Sequence, residues 1–185
     1  MKANQLNLFV FFVAIMVGCS FWGVSFAATD GSRPSDFSIS YQFTSGSVPP
    51  PYYYEYTISV TSSGQGEIVL TPDHAGESVP QWTQSFELNS QALDEIYNLL
   101  VSEEAFTSNW QQPTKPRLGA PSEVVQITSQ GEQLQIPAQV IKNQMRSKDK
   151  VTKAIKALVP DTVWSTLKSQ HNAYSDANYP DGTSK

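Results

Sequence analysis

Cysteine occurs once in the 185 residues, at Cys19, so no disulfide can form within the chain. Packing alone must hold the fold. Histidine occurs twice, as His74 and His171. Asp73, His74 and Glu77 share one loop, but their spacing matches no zinc motif, and the loop reads as a solvated turn. No metal and no cofactor is expected. Positive charge is short as well: 12 Lys and Arg stand against 17 Asp and Glu, a net charge of -5. A nucleic-acid face needs a basic surplus, so no nucleic-acid partner is expected. The chain has no Gly-x-Ser-x-Gly elbow, no His-Glu-x-x-His and no P-loop. Ser-x-x-Lys occurs at Ser147 to Lys150 and at Ser165 to Lys168, without the Ser-Asp-Asn and Lys-Thr-Gly elements that make it catalytic. The adjacent carboxylates Asp94-Glu95 and Glu103-Glu104 read as solvated helix face.

Long apolar runs are also scarce, with one exception. Leu8 to Val17 is apolar throughout and follows Lys2, the pattern of an export signal. Two processing readings stay open. Met16-Val17-Gly18-Cys19 resembles a lipobox, which would make Cys19 an acylated first residue, although Phe21 to Val24 is apolar for a tether. Ser25-Phe26-Ala27 is instead a small-x-small site for cleavage before Ala28. A third reading leaves the segment as an uncut anchor. Residues 1–27 are read as the export signal, 28–35 as a flexible tether, 36–172 as a single domain and 173–185 as a polar tail. Export implies a periplasmic, envelope-attached or extracellular protein. Membrane contact is expected only through this signal or a lipid on Cys19.

What remains is rich in alternating patterns. Phe37, Ile39, Tyr41 and Phe43 recur at every second position, which predicts a strand. Tyr54, Tyr56, Ile58 and Val60 do the same, with Tyr53, Glu55, Thr57 and Ser59 on the other side. Gly64 and Gly66 supply a turn, and Ile68 and Leu70 resume the pattern on the return strand. Trp82 to Leu88 predicts a further strand. A helix capped by Asn89 or Ser90 then buries Leu93, Ile96, Tyr97, Leu100 and Val101. Glu123 to Ile136 reads as a second hairpin, turning at Gln130-Gly131. Ser147 is placed to cap a helix with Val151, Ala154, Ile155 and Leu158 inward, and Pro160 opens a last helix that frays from Ser169. The expected fold is α+β: one antiparallel sheet of about five or six strands, with two or three helices packed on one face.

Candidate binding residues lie in the irregular stretches. Tyr53 is expected to face outward beside three prolines, and Trp110 and Arg117 fall in the loop from Thr107 to Ser122. Prolines deny that loop ladder bonds, so it is expected to be the most mobile internal segment and to border the binding surface. Its tryptophan must either dock on the core or wait exposed for a partner. Together these residues suit a protein, peptide or glycan partner. A basic series, Lys142, Arg146, Lys148, Lys150, Lys153 and Lys156, reads as a solvated helix face, with an anionic surface as the alternative use. The expected function is a non-catalytic exported accessory or binding protein. The rival is a small envelope hydrolase assembled from Asp73, His74 and His171.

Overall fold

A computed structural model describes residues 32–74, 76 and 78–180. The readings for residues 1–31, Cys19 among them, and for Glu77 lie outside the described residues. The expected α+β architecture is what the structure has. Six strands form one antiparallel sheet: β1 (Ser38–Thr44), β2 (Glu55–Val60), β3 (Gln65–Thr71), β4 (Trp82–Glu87), β5 (Ser122–Ser129) and β6 (Glu132–Ile136). Their spatial order is β4-β3-β2-β1-β5-β6. The helices are α1 (Ser90–Ser102), α2 (Met145–Ala157), which is preceded by a 3₁₀ turn at Lys142–Gln144, and α3 (Asp161–Asn178).

The period-two pattern decides the faces. Ile39 and Tyr41, Tyr56, Ile58 and Val60, Ile68 and Leu70, and Val125 and Ile127 are all buried, whereas the residues between them lie toward the opposite face. The register Ile39↔Val60, Tyr41↔Ile58 and Ile39↔Ile127 puts these side chains in rows under the helices. A one-residue slip would turn every row into water, so the register is strongly specified. On the helix side Leu93, Ile96, Tyr97 and Leu100 are buried from α1, and Val151 and Ile155 from α2.

Several local expectations need correction. Gly64 has φ +89 and makes the β2–β3 turn, but Gly66 lies inside β3, where a Cβ would run into the Phe86 ring. Val101 is 50% exposed, because at 100° per residue it falls on the flank of the stripe that buries Leu93, Ile96, Tyr97 and Leu100. Asn89 caps α1, its Oδ1 accepting from Ala92 N at 2.8 Å. Ser147 caps nothing, since α2 already begins at Met145 out of the 3₁₀ turn and has no side-chain cap. The last helix does not fray at Ser169 and runs to Asn178. Its distal half is held by rings: His171 meets Tyr54 at 5.5 Å and Tyr174 meets Trp82 at 6.2 Å.

The topology separates the two ends of the sheet. At one end lie the tight turns at 61–64 and 130–131. The chain also enters here: Arg33 donates to Ser62 O at 3.3 Å and to Asp94 Oδ1 at 2.8 Å. The Asp36 carboxylate accepts from Gln130 N and Gly131 N. At the other end gather the long connections 45–54, 72–81, 103–121 and 137–144. About 20 Å of strand separates the two ends.

Candidate functional site

The loop end collects most of the singled-out residues. Its largest connection follows α1 and has no strand or helix from Asn109 to Pro121. Ladder bonds are absent, as the prolines require, yet the loop is not unfastened. Gln139 clasps Arg117 as a neighbouring strand would: its Oε1 accepts from Arg117 N at 2.7 Å and its Nε2 donates to Arg117 O at 2.7 Å. Gln144 does likewise further back, accepting from Gln111 N at 3.0 Å and donating to Asn109 O at 2.8 Å. Backbone bonds from Ser47 N to Gly119 O and from Ile141 N to Gln111 O, both 3.0 Å, complete the fastening. Glutamine side chains stand in for the missing sheet neighbours.

Trp110 takes the docked alternative. Its ring packs against the core and its Nε1 donates to Ala105 O at 3.0 Å. It supports the loop and does not wait for a ligand. Arg117 is exposed, and next to it Leu118 is 93% exposed at the crest of the loop. A leucine held out in this way by a fastened backbone had no signal in the sequence beyond its loop position.

Arg117 and Lys115 form one wall of a cleft of about 400 Å³. Val140 and Met145 contribute apolar surface, Asp149 stands on the α2 side, and Glu123 and Lys148 also line it. Lys148 is 5% exposed, and its ammonium donates to three backbone carbonyls: Glu123 O at 2.7 Å, Pro137 O at 2.7 Å, and Ala138 O. All three of its donors are thereby used. Burial pulls its pKa below the usual lysine value, against the pull of Glu123 and Asp149. The Glu123 carboxylate is engaged too: Tyr41 donates to it at 2.7 Å and Lys156 at 2.9 Å. Burial alone would raise its pKa, but these partners outweigh burial and hold it below the ordinary value. Burial and the bond to Glu123 push the Tyr41 hydroxyl upward.

The basic series is therefore not one solvated face. Lys148 is buried, Lys156 pairs with Glu123, and Lys150 pairs with Glu103. Lys142, Arg146 and Lys153 stay exposed.

Tyr53 lies in a different, more open recess of about 670 Å³ on the other side of the loop, with His74, Pro49, Gly119 and Ala120. It is half-buried: its ring stacks on His74 at 3.7 Å between centroids and its hydroxyl donates to Glu55 Oε2 at 3.0 Å. Ala120 lines both recesses, so Tyr53 and Arg117 flank one loop without sharing a cleft.

The three residues of the hydrolase reading are all committed elsewhere. Asp73 is 7% exposed, accepts from His74 N at 2.6 Å on Oδ1, and takes the Tyr179 hydroxyl on Oδ2. That bond pushes the Tyr179 pKa up to about 12. The His74 ring lies on Tyr53, while His171 sits on α3 against Tyr54 with its Nε2 buried and lacking a hydrogen-bond partner. Burial holds the His171 pKa below the ordinary value. Among the described residues, neither imidazole has a hydrogen bond to the Asp73 carboxylate. Among the described residues no group of three or more His, Cys, Asp or Glu could hold a metal ion, and no helix is long and apolar enough to cross a membrane.

The fold and the loop end define a class no narrower than an α+β domain with one elaborated sheet end. No protein-family model matches the chain, and no curated protein matches it.

Proposed function

We propose that this chain is an exported, non-catalytic binding protein that engages a partner protein or peptide through the loop end of its sheet. One observation carries the reading: the 103–121 connection is clasped by Gln139 and Gln144 so that Leu118 stands 93% exposed beside Arg117. A large apolar side chain held in water by a fastened backbone suits a contact, because little ordering cost remains when a partner covers it. Leucine and arginine together bring an apolar surface and a forked donor. The N-terminal sequence supports export, and the described chain begins at the opposite end of the sheet from these loops. Tyr53 and its His74 stack extend the surface on the far side of the loop.

The test is capture from the native envelope extract with the full chain as bait, beside its Leu118→Asp variant and a turn variant, Gln130→Ala. A partner retained by the full chain and by Gln130→Ala, but lost on Leu118→Asp at unchanged melting temperature, supports the reading. Equal retention by all three removes the loop from it. Mass spectrometry of the same chain reads the N-terminus: an acyl mass on Cys19 or a start at Ala28 supports export, and an intact Met1 with no membrane or extracellular fraction contradicts it.

A further inference from the structure

Resting on that reading of the loop end, we infer that the cleft between the 103–121 connection and the start of α2 takes an acidic, extended polypeptide segment carrying an apolar side chain among its carboxylates. Charge complementarity over an apolar floor favours such a segment. Although the chain is acidic overall, this cleft gathers Lys115, Arg117 and the buried Lys148. Exposed Lys142 and Arg146 sit on either side of Met145 along the chain. Of the two carboxylates here, Glu123 is compensated by Lys156 and the Tyr41 hydroxyl, which leaves Asp149. Lys148 donates all three hydrogens to carbonyls, so its charge contributes field and no free donor, and the donors for a ligand come from Lys115 and Arg117.

The clasp sharpens the point. Gln139 holds both backbone groups of Arg117, so the guanidinium is presented from a fixed stem, as bidentate recognition of a carboxylate requires. Val140 and Met145 offer apolar surface, and Met145 is 46% exposed and adaptable in shape. An extended peptide is favoured over an anionic membrane because these groups line a recess, whereas a lipid surface needs a convex or flat face.

The probe is a fluorescent synthetic peptide of glutamates around one leucine, titrated by anisotropy into the full chain in neutral detergent. A lysine-for-glutamate peptide and micelles doped with anionic lipid run in parallel. The glutamate peptide is expected to bind, to weaken as salt is raised, and to lose about tenfold or more in affinity on combining Lys115→Glu with Arg117→Glu. Lys153→Glu, which changes net charge away from the cleft, should leave affinity unchanged. Gln139→Ala should weaken binding with Arg117 still present. Equal losses from Lys153→Glu, no binding of the glutamate peptide, or competition by anionic micelles alone would each overturn the inference. If the peptide fails while Leu118→Asp still releases the natural partner, this cleft assignment falls and the loop-end reading stands.

Discussion

The two ends of the sheet solve the same problem by opposite means. At the turn end, the connections between neighbouring strands are short. Gly64 and Gly131 take positive φ, Gln130 joins them at φ 57, and one carboxylate, Asp36, accepts from two backbone amides of the second turn. At the loop end, the connections are long and carry prolines, and their backbone is satisfied by side chains from elsewhere: Gln139, Gln144 and Lys148. Economy at one end and elaboration at the other is what a binding surface on one side only would require, as proposed. Substitutions at the turn end should alter stability and leave binding alone. At the crest of the loop end they should do the reverse.

The largest expected effect tests the frame that joins the ends. Ile58 is wholly buried at the centre of β2, and Ile58→Asp puts an unpaired carboxylate there. The cost is several kcal/mol, comparable to the stability of a small domain, so circular dichroism should show an unfolded chain. Tyr53→Ala, which removes a half-buried ring ahead of the start of β2, should stay folded. Next in size is Lys148→Met, which strips three carbonyls of their donor beneath the loop end. A loss of about 3 kcal/mol is expected in urea melts, and a neutral result would mean those carbonyls find water. Trp110→Ala should cost about 2 kcal/mol, because the ring is only partly buried, and should weaken partner capture through the loop it supports.

The acid limit involves both ends. Asp36 is held below the ordinary carboxylate value by the amides of Gly131 and Gln130, and Glu123 by Lys156 and Tyr41 despite its burial. A depressed folded pKa contributes stability above the unfolded value, near 4, and that contribution disappears as pH falls through the folded value. Melting temperature should therefore drop below about pH 4 and change little between pH 5 and 7 from these two groups. Glu123→Gln should flatten part of that drop, and an unchanged acid limb would remove Glu123 from the account. The smallest expected effect on stability is that of Arg117→Glu, whose side chain is exposed. Its melt should match that of the unaltered chain.

The strand faces were legible because a period of two leaves its mark on every residue: Tyr56, Ile58 and Val60 could only be read one way. The same holds for the α1 stripe up to Leu100. The end of α3 was hidden because its packing residues are His171 and Tyr174, a titratable ring and a phenol, which look like surface in a polar sequence. Lys148 was hidden for the opposite reason: it sits among lysines that are exposed, and only the convergence of 123, 137 and 138 on one point distinguishes it. Gly66 looked like a turn residue because its partner, Phe86, is distant in sequence. The loop looked loose because its prolines are visible, whereas the glutamines that fasten it follow β6 and leave no local trace. Arg117 could be singled out as a candidate, but Leu118 beside it could not, since an exposed leucine and a docked one have the same neighbours in sequence.

The central claim, that the loop end meets the partner and the turn end does not, is tested most directly by photocrosslinking in the cells that make the protein. A photoreactive amino acid is placed at position 118 in one version of the full chain and at position 130 in another. The account predicts a discrete crosslinked species from position 118, reduced by Arg117→Glu, and none from position 130. A crosslink from position 130, or equal yields from both, would contradict it.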